Sequence, residues 1–139
     1  MQNADLEREM RKFFPELEIK TDEPMKDHTS FRIGGSCDLM LLPKSAEELR
    51  SVLRFLYEKG IRPYVFGAGS NVLVPDDGIR GVVIVTRGAL SGLTRRDART
   101  IAAQSGVTLA QLSMFAADCG LTGLEFAQGI PGTVGGGVF

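Results

Sequence analysis

Residues 65–74 read VFGAGSNVLV, and the cluster Gly67-Ala68-Gly69-Ser70-Asn71 inside them is the chain's first candidate for chemistry. Glycine lets backbone N–H groups approach a ligand closely, and the Ser70 hydroxyl and Asn71 amide add neutral donors. Three ways of holding a phosphate compete. A P-loop needs Lys-Ser/Thr after its last glycine, but Ser70 is followed by Asn71-Val72 with no lysine. A dinucleotide fingerprint needs G-x-G-x-x-G at the opening of a helix. Gly67 and Gly69 fit that spacing, yet the third position is Val72 and Val72-Leu73-Val74 is strand-like. What remains is a loop between two β segments. Its amides either form an anion-binding nest or make a tight turn in which Ser70 and Asn71 satisfy their own backbone. The residues alone leave both open.

A second candidate is GIPGTVGGG, residues 129–137. Pro131 and Gly132 set a turn, Thr133 is placed as a cap, and the three glycines that end the segment expose N–H groups beside flat space. That would suit a planar ring lying on main chain; a tight packing corner would use the same residues. Cys37 and Cys119 are lone cysteines with no CxxC, and His28 is the only histidine, so no zinc site is expected and both thiols read as free in a reducing cytosol. His28 itself reads as a capping or packing histidine.

The elements that must position these segments follow from local patterning. Leu6, Met10 and Phe13 share one face of a helix over 4–14, with Asn3 as its N-cap and Pro15 as its stop. Residues 20–29 are polar, carry Pro24 and read as an extended approach segment. CDLMLLP (37–43) is a buried strand. Ser45 and Glu48 open a helix over 46–58 through a capping box, with Leu49, Val52, Leu53 and Leu56 inward and Gly60 past its end. PYVF (63–66) is a strand, so this stretch forms a βαβ unit that delivers the chain to the glycine loop. Residues 72–74, 81–86 and 99–104 read as β. Thr108 and Gln111 cap a helix over 109–119 with Leu109, Leu112, Phe115 and Ala116 inward and Gly120 at its end.

The bulk numbers narrow the partners. The chain has 139 residues, a net charge of -1 with both signs interspersed, and 43% apolar residues. Neither nucleic acid nor an anionic membrane surface is expected as a partner. The charged start MQNADLEREM lacks the apolar core of a signal peptide, and no apolar run approaches the roughly 20 residues of a spanning helix. The expected location is cytoplasmic. The closing GLTGLEFAQGIPGTVGGGVF is apolar, glycine-rich and without a polar tail, which reads as the inside of a protein and makes a truncated chain the expectation.

Three segments together carry a resemblance. HTSFRIGGSCDLMLLPKSAEEL (28–49), PYVFGAGSNVLVPDDGIRGVVI (63–84) and GLEFAQGIPGTVGG (123–136) follow one another as in the UDP-N-acetylenolpyruvoylglucosamine reductases, and the chain resembles that family over residues 28–139. The resemblance implies an α+β FAD-binding fold of the PCMH (p-cresol methylhydroxylase) and vanillyl-alcohol oxidase type, with a small βαβ lobe plus part of a second α+β lobe, truncated. It divides the chain into an N-terminal helix and approach segment (1–29) and an FAD-binding PCMH-type domain incomplete at its C-terminus (30–139). It implies non-covalent FAD, with Gly67, Ala68, Gly69, Ser70, Asn71 and Val72 around the pyrophosphate. Gly129, Ile130, Pro131, Gly132, Thr133, Gly135 and Gly136 would line flavin and pyrophosphate with main chain.

The same resemblance implies NADPH as hydride donor and a UDP-sugar as substrate, in the reduction of UDP-N-acetylenolpyruvoylglucosamine to UDP-N-acetylmuramate for peptidoglycan. The family's catalytic arginine, serine and glutamate lie past the matching segments, so no catalytic residue is assigned to this chain and the 139-residue chain alone is expected to be inactive. Arg32, Arg80, Ser70 and Glu125 do not match those positions, and Arg32 and Arg80 read as surface or inter-lobe ion pairs. Another PCMH-type flavin oxidoreductase, or an inert FAD-binding fragment, are the alternatives. Two departures from the family stand out: Ala103-Gln104-Ser105-Gly106, where Ala-Gly-Ala-Gly is frequent, and Gly137, where alanine is common. The oligomeric state is not legible.

Overall fold

The computed structural model describes residues 3–139, a mixed α+β chain built on one four-stranded sheet and one two-stranded sheet. Helix α1 (Asn3–Phe13) leads into β1 (Glu18–Pro24), a short 3-10 turn and then β2 (Ser36–Leu42). Helix α2 (Ala46–Glu58) connects β2 to β3 (Tyr64–Phe66), and a long loop returns the chain to β4 (Ile79–Val85). The second sheet is the hairpin of β5 (Leu93–Arg95) and β6 (Ile101–Ala103), followed by α3 (Leu109–Asp118) and α4 (Val134–Val138). None of the described helices is long and apolar enough to cross a membrane.

The helix ends follow local chemistry. Ser45 accepts from the Glu48 N–H at 3.1 Å, while the Glu48 carboxylate reaches back to the Lys44 N–H at 2.7 Å, one residue before the expected partner. At α3 the box is complete: Thr108 accepts from Gln111, and Gln111 Oε1 accepts from the Thr108 N–H at 2.9 Å. Gly60 and Gly120 leave their helices at positive φ, as C′ residues do. Asn3 is not the cap of α1 but its first residue, and the residues before it lie outside those described.

The large sheet runs β1-β2-β4-β3. β1 pairs antiparallel with β2, from Glu18↔Leu42 to Pro24↔Ser36, and β4 pairs parallel with both β2 and β3. The expected βαβ unit is therefore present but open: β2 and β3 run the same way, and β4 inserts between them. β2 is central and buried on both faces, which explains its unbroken apolar run. Leu39 and Leu41 join Val82 and Ile84 on one face under α1 and α2, while Cys37 and Met40 join Val83 on the other under Met25 and Val74.

The face opposite α1 and α2 has irregular chain in contact with its core, and this is where the glycine segments lie. Val72-Leu73-Val74 is not a strand. Its alternation is real, with Val72 and Val74 packed on the core and Leu73 exposed, but both flanks of β4 are already occupied by β2 and β3, so no ladder partner remains. Two expected inward residues are also displaced. Leu53 is only partly covered, and Phe13 is exposed but rests against Phe55 with ring centroids 5.5 Å apart.

Candidate functional site

The 25–35 segment crosses the sheet as a strap, tied at both ends where the Met25 N–H donates to the Gly35 carbonyl at 3.1 Å. Gly34 and Gly35 let it lie on the return loop. The Gly35 N–H donates to the Pro75 carbonyl at 2.9 Å, and a Cβ on Gly34 would stand 2.6 Å from Val74 Cβ. Beneath this crossing Arg80 does form the ion pair expected of it, reaching Asp38 at 2.6 Å, and also donates to the Ser36 carbonyl at 2.8 Å.

The other end of the strap meets the first glycine loop. The Ser30 N–H donates to the Gly69 carbonyl at 3.0 Å, and Gly69 sits at φ +63 with its α-carbon against the His28 carbonyl, where any Cβ would collide with backbone. His28 is held in turn by Glu23, its Nε2 lying 2.7 Å from the Glu23 carboxylate, with Lys20 3.0 Å from the same oxygen. These contacts, the His28 hydrogen bond first, hold the Glu23 carboxyl below its usual range. His28 thus packs rather than presenting a free imidazole. Cys37, buried under the strap, has its thiol pushed up by burial.

The second glycine segment docks against the first. Ser70 Oγ donates to the Pro131 carbonyl at 3.3 Å, and a Cβ on Gly67 would overlap the hydroxyl of the buried Thr133. Thr133 caps α4 by accepting from the Gly136 N–H at 3.3 Å. Residues 132–135 are stitched to the start of α3: the Gly132 carbonyl accepts from Leu109, Val134 donates to Val107, and Gly135 donates to Ser105 at 2.9 Å. In the departing Gln104-Ser105 pair it is Ser105 that touches Gly135, while Gln104 turns away to accept from the Gly92 N–H. Gly129, Ile130, Pro131 and Gly136 are exposed beside the seam.

These junctions frame a cavity of about 770 Å³ lined by the strap, by Phe66, Gly67 and Ala68, and by Val85 and Arg87. It opens at the carboxyl ends of the parallel strands β3 and β4, the usual ligand position in open sheets with parallel strands. Gly67 and Ala68 line it; Gly69, Ser70 and the 129–136 segment support that wall without forming it. Among the described residues, no backbone N–H of residues 67–72 has a protein acceptor, leaving a run of amides free for an anion. Lys26, Arg32 and Thr29 of the strap were not picked out by sequence as ligand contacts. The signal nearest them is the Gly34-Gly35 pair, which marks close packing but not which way the preceding side chains face. No group of three or more potential metal ligands occurs among the described residues.

Comparison with known proteins agrees with this geometry. Residues 37–139 match the FAD binding domain family. The chain is 52% identical over 126 residues to the UDP-N-acetylenolpyruvoylglucosamine reductase of Syntrophomonas wolfei, covering 91% of this chain and 42% of that protein. It is 42% identical over 136 residues to the enzyme of the same name from Clostridioides difficile, covering 98% of this chain and 44% of that protein. The chain thus spans less than half the length of these curated relatives. Among solved structures, the corresponding reductase of Thermus caldophilus superposes with a TM-score of 0.62 at 30% identity, over 88% of this chain and 41% of that one. An alkyldihydroxyacetonephosphate synthase superposes at 0.66 with 22% identity, over 98% of this chain and 29% of that one, a likeness of fold alone.

Proposed function

The chain belongs to the FAD binding domain family, with a PCMH-type fold, and on that premise we propose that it is the dinucleotide-gripping part of an FAD-dependent UDP-N-acetylenolpyruvoylglucosamine reductase. The observation that carries this reading is the convergence of three glycine segments on one cavity, with the free amides of residues 67–72 along its edge. The residues present fit FAD. Gly67 and Ala68 offer a backbone wall with little side chain, and the Thr29 hydroxyl at the cavity is buried with no hydrogen-bond partner among the described residues. Gly67 through Val72 would hold the pyrophosphate, and Gly129 to Thr133 with Gly135 and Gly136 would back it with main chain.

When bound, FAD supplies two-electron redox chemistry that no side chain of this protein can perform. The chain's own residues bind and orient it: the Gly69–His28 contact keeps the loop closed on the strap, and Thr133 fixes the second segment against the first. In this reading NADPH is the reductant and the enolpyruvyl UDP-sugar the acceptor, in the cytoplasmic making of peptidoglycan precursors. None of the chain's own residues is assigned to the chemical step. The relatives at 42% and 52% identity favour this over another PCMH-type oxidoreductase.

The test uses the whole protein that contains this chain. It should carry FAD and oxidise NADPH only when the enolpyruvyl UDP-sugar is supplied. Turnover with simple alcohols instead, or a flavin-free protein that takes up no FAD, would refute the reading. The 139-residue chain alone should bind FAD weakly and turn over nothing.

A further inference from the structure

The wall of the cavity that faces Gly67 and Ala68 carries charge with nothing to balance it. Lys26, Arg32 and Arg87 all line the cavity, and none of them is in an ion pair among the described residues, whereas Arg11, Arg54 and Arg80 each have an acid partner. Asp27 is the single carboxylate in the lining, so the cavity holds a net excess of cations in a chain whose overall charge is -1. Such a concave, one-signed surface concentrates anions.

Two further observations point to a ligand there. Thr29 is only 7% exposed, yet its Oγ1 meets no acceptor or donor among the described residues. A buried hydroxyl left in that state is costly unless a partner arrives. Arg32 is one of two non-glycine residues at positive φ, at +55, closing a turn in which its N–H donates to the Thr29 carbonyl at 3.2 Å. The strained residue and the orphaned hydroxyl are thus the two ends of one tight turn in the strap.

We propose that Arg32 and Thr29 of the strap, together with Arg87 just beyond β4, form the charged half of a diphosphate site whose other half is the amide wall of Gly67 and Ala68. The proposal rests on the FAD reading for the identity of the dinucleotide, but the chemistry it asserts is recognition of a nucleoside diphosphate. Guanidinium groups suit that role because their planar forks pair with phosphate oxygens. Neutral amides orient the diphosphate, and the cations across the cavity offset its two negative charges.

The experiment titrates the 139-residue chain with FAD, ADP and riboflavin at several salt concentrations, following flavin fluorescence and thermal shift. The expected result is binding of FAD and ADP that weakens with salt, with riboflavin at least about tenfold weaker. Arg32→Gln and Arg87→Gln should each weaken FAD and ADP about tenfold, flatten the salt dependence and leave riboflavin unchanged, and Arg32→Lys should recover part of the loss. Thr29→Val supplies a readout that a packing role would not: the unliganded chain should melt no lower than wild type while ADP binding falls several-fold. Arginine variants that bind FAD and ADP like wild type, with the same salt dependence, would overturn the site while leaving the FAD reading intact. Binding of ADP without FAD would support the site and count against the FAD reading. A wild-type chain that binds neither would overturn the site, and the flavin content of the whole protein would then judge the FAD reading separately.

Discussion

Gly67→Ala tests the seam between the two glycine segments. The new Cβ would overlap the Thr133 hydroxyl and lie 3.2 Å from both Thr133 Cβ and Cγ2. Thr133 is 2% exposed, so it cannot swing outward. Turning its hydroxyl aside forfeits the cap on α4, worth about 1 kcal/mol, and crowding a packed seam costs about 1–3 kcal/mol more. Gly67→Ala should therefore destabilise the chain by about 2–4 kcal/mol. Thr133→Ala alone loses the cap and a buried methyl, about 2 kcal/mol. In the double variant the hydroxyl and methyl are gone and only the 3.2 Å approach to the Thr133 Cβ remains. The combined loss should thus fall short of the sum by at least about 1 kcal/mol, a coupling typical of residues in contact. Urea denaturation followed by far-UV circular dichroism measures all four corners, with unchanged m values as the check on two-state behaviour. Additivity within about 0.5 kcal/mol would refute the seam.

Gly69→Ala should be at least as damaging, because its Cβ would meet the His28 carbonyl, which is backbone, and φ +63 penalises any side chain; thermal melting should show it below Gly67→Ala. Glu23 is held below its ordinary 4.5, first by His28 and then by Lys20, so its contribution is complete above pH 4.5 and is lost as pH falls through the depressed folded value. Lys20 is raised above 10.5 by the same carboxylate, so its share is present below that pH and is lost as pH rises through the folded value. Glu23→Gln should flatten both limbs of the stability–pH curve; an unchanged acid limb would refute the pairing. In the native chain a thiol reagent should modify Cys119 and spare the fully buried Cys37 until denaturant is added.

Much of the fold was legible because its causes are local. The Thr108–Gln111 box, the Ser45 cap and the exits at Gly60 and Gly120 each depend on residues within one helical turn, and all stand as the spacing predicts. The unbroken apolar run of β2 announced a strand covered on both faces. Strand neighbours are a different matter. That β4 lies between β2 and β3 is a pairing across dozens of residues, and once it is made, Val72-Leu73-Val74 has no free edge to join, however strand-like its alternation.

The candidate site divides in the same way. Sequence by itself determined that three glycine segments existed and that each needed backbone at close quarters, because only a missing Cβ permits such contacts and glycine is written in the chain. It did not determine what each glycine would touch: Gly34 meets Val74, Gly67 meets Thr133, and Gly69 meets His28, all partners remote in sequence. Nor did it disclose the unpaired Lys26, Arg32 and Arg87 beside the orphaned Thr29. An arginine in isolation is as ready to pair with a surface carboxylate as with a ligand, and Arg80 does so with Asp38. Only the path of the strap across the sheet decides which arginine faces a partner and which faces a cavity, since charge has no direction until the backbone supplies one.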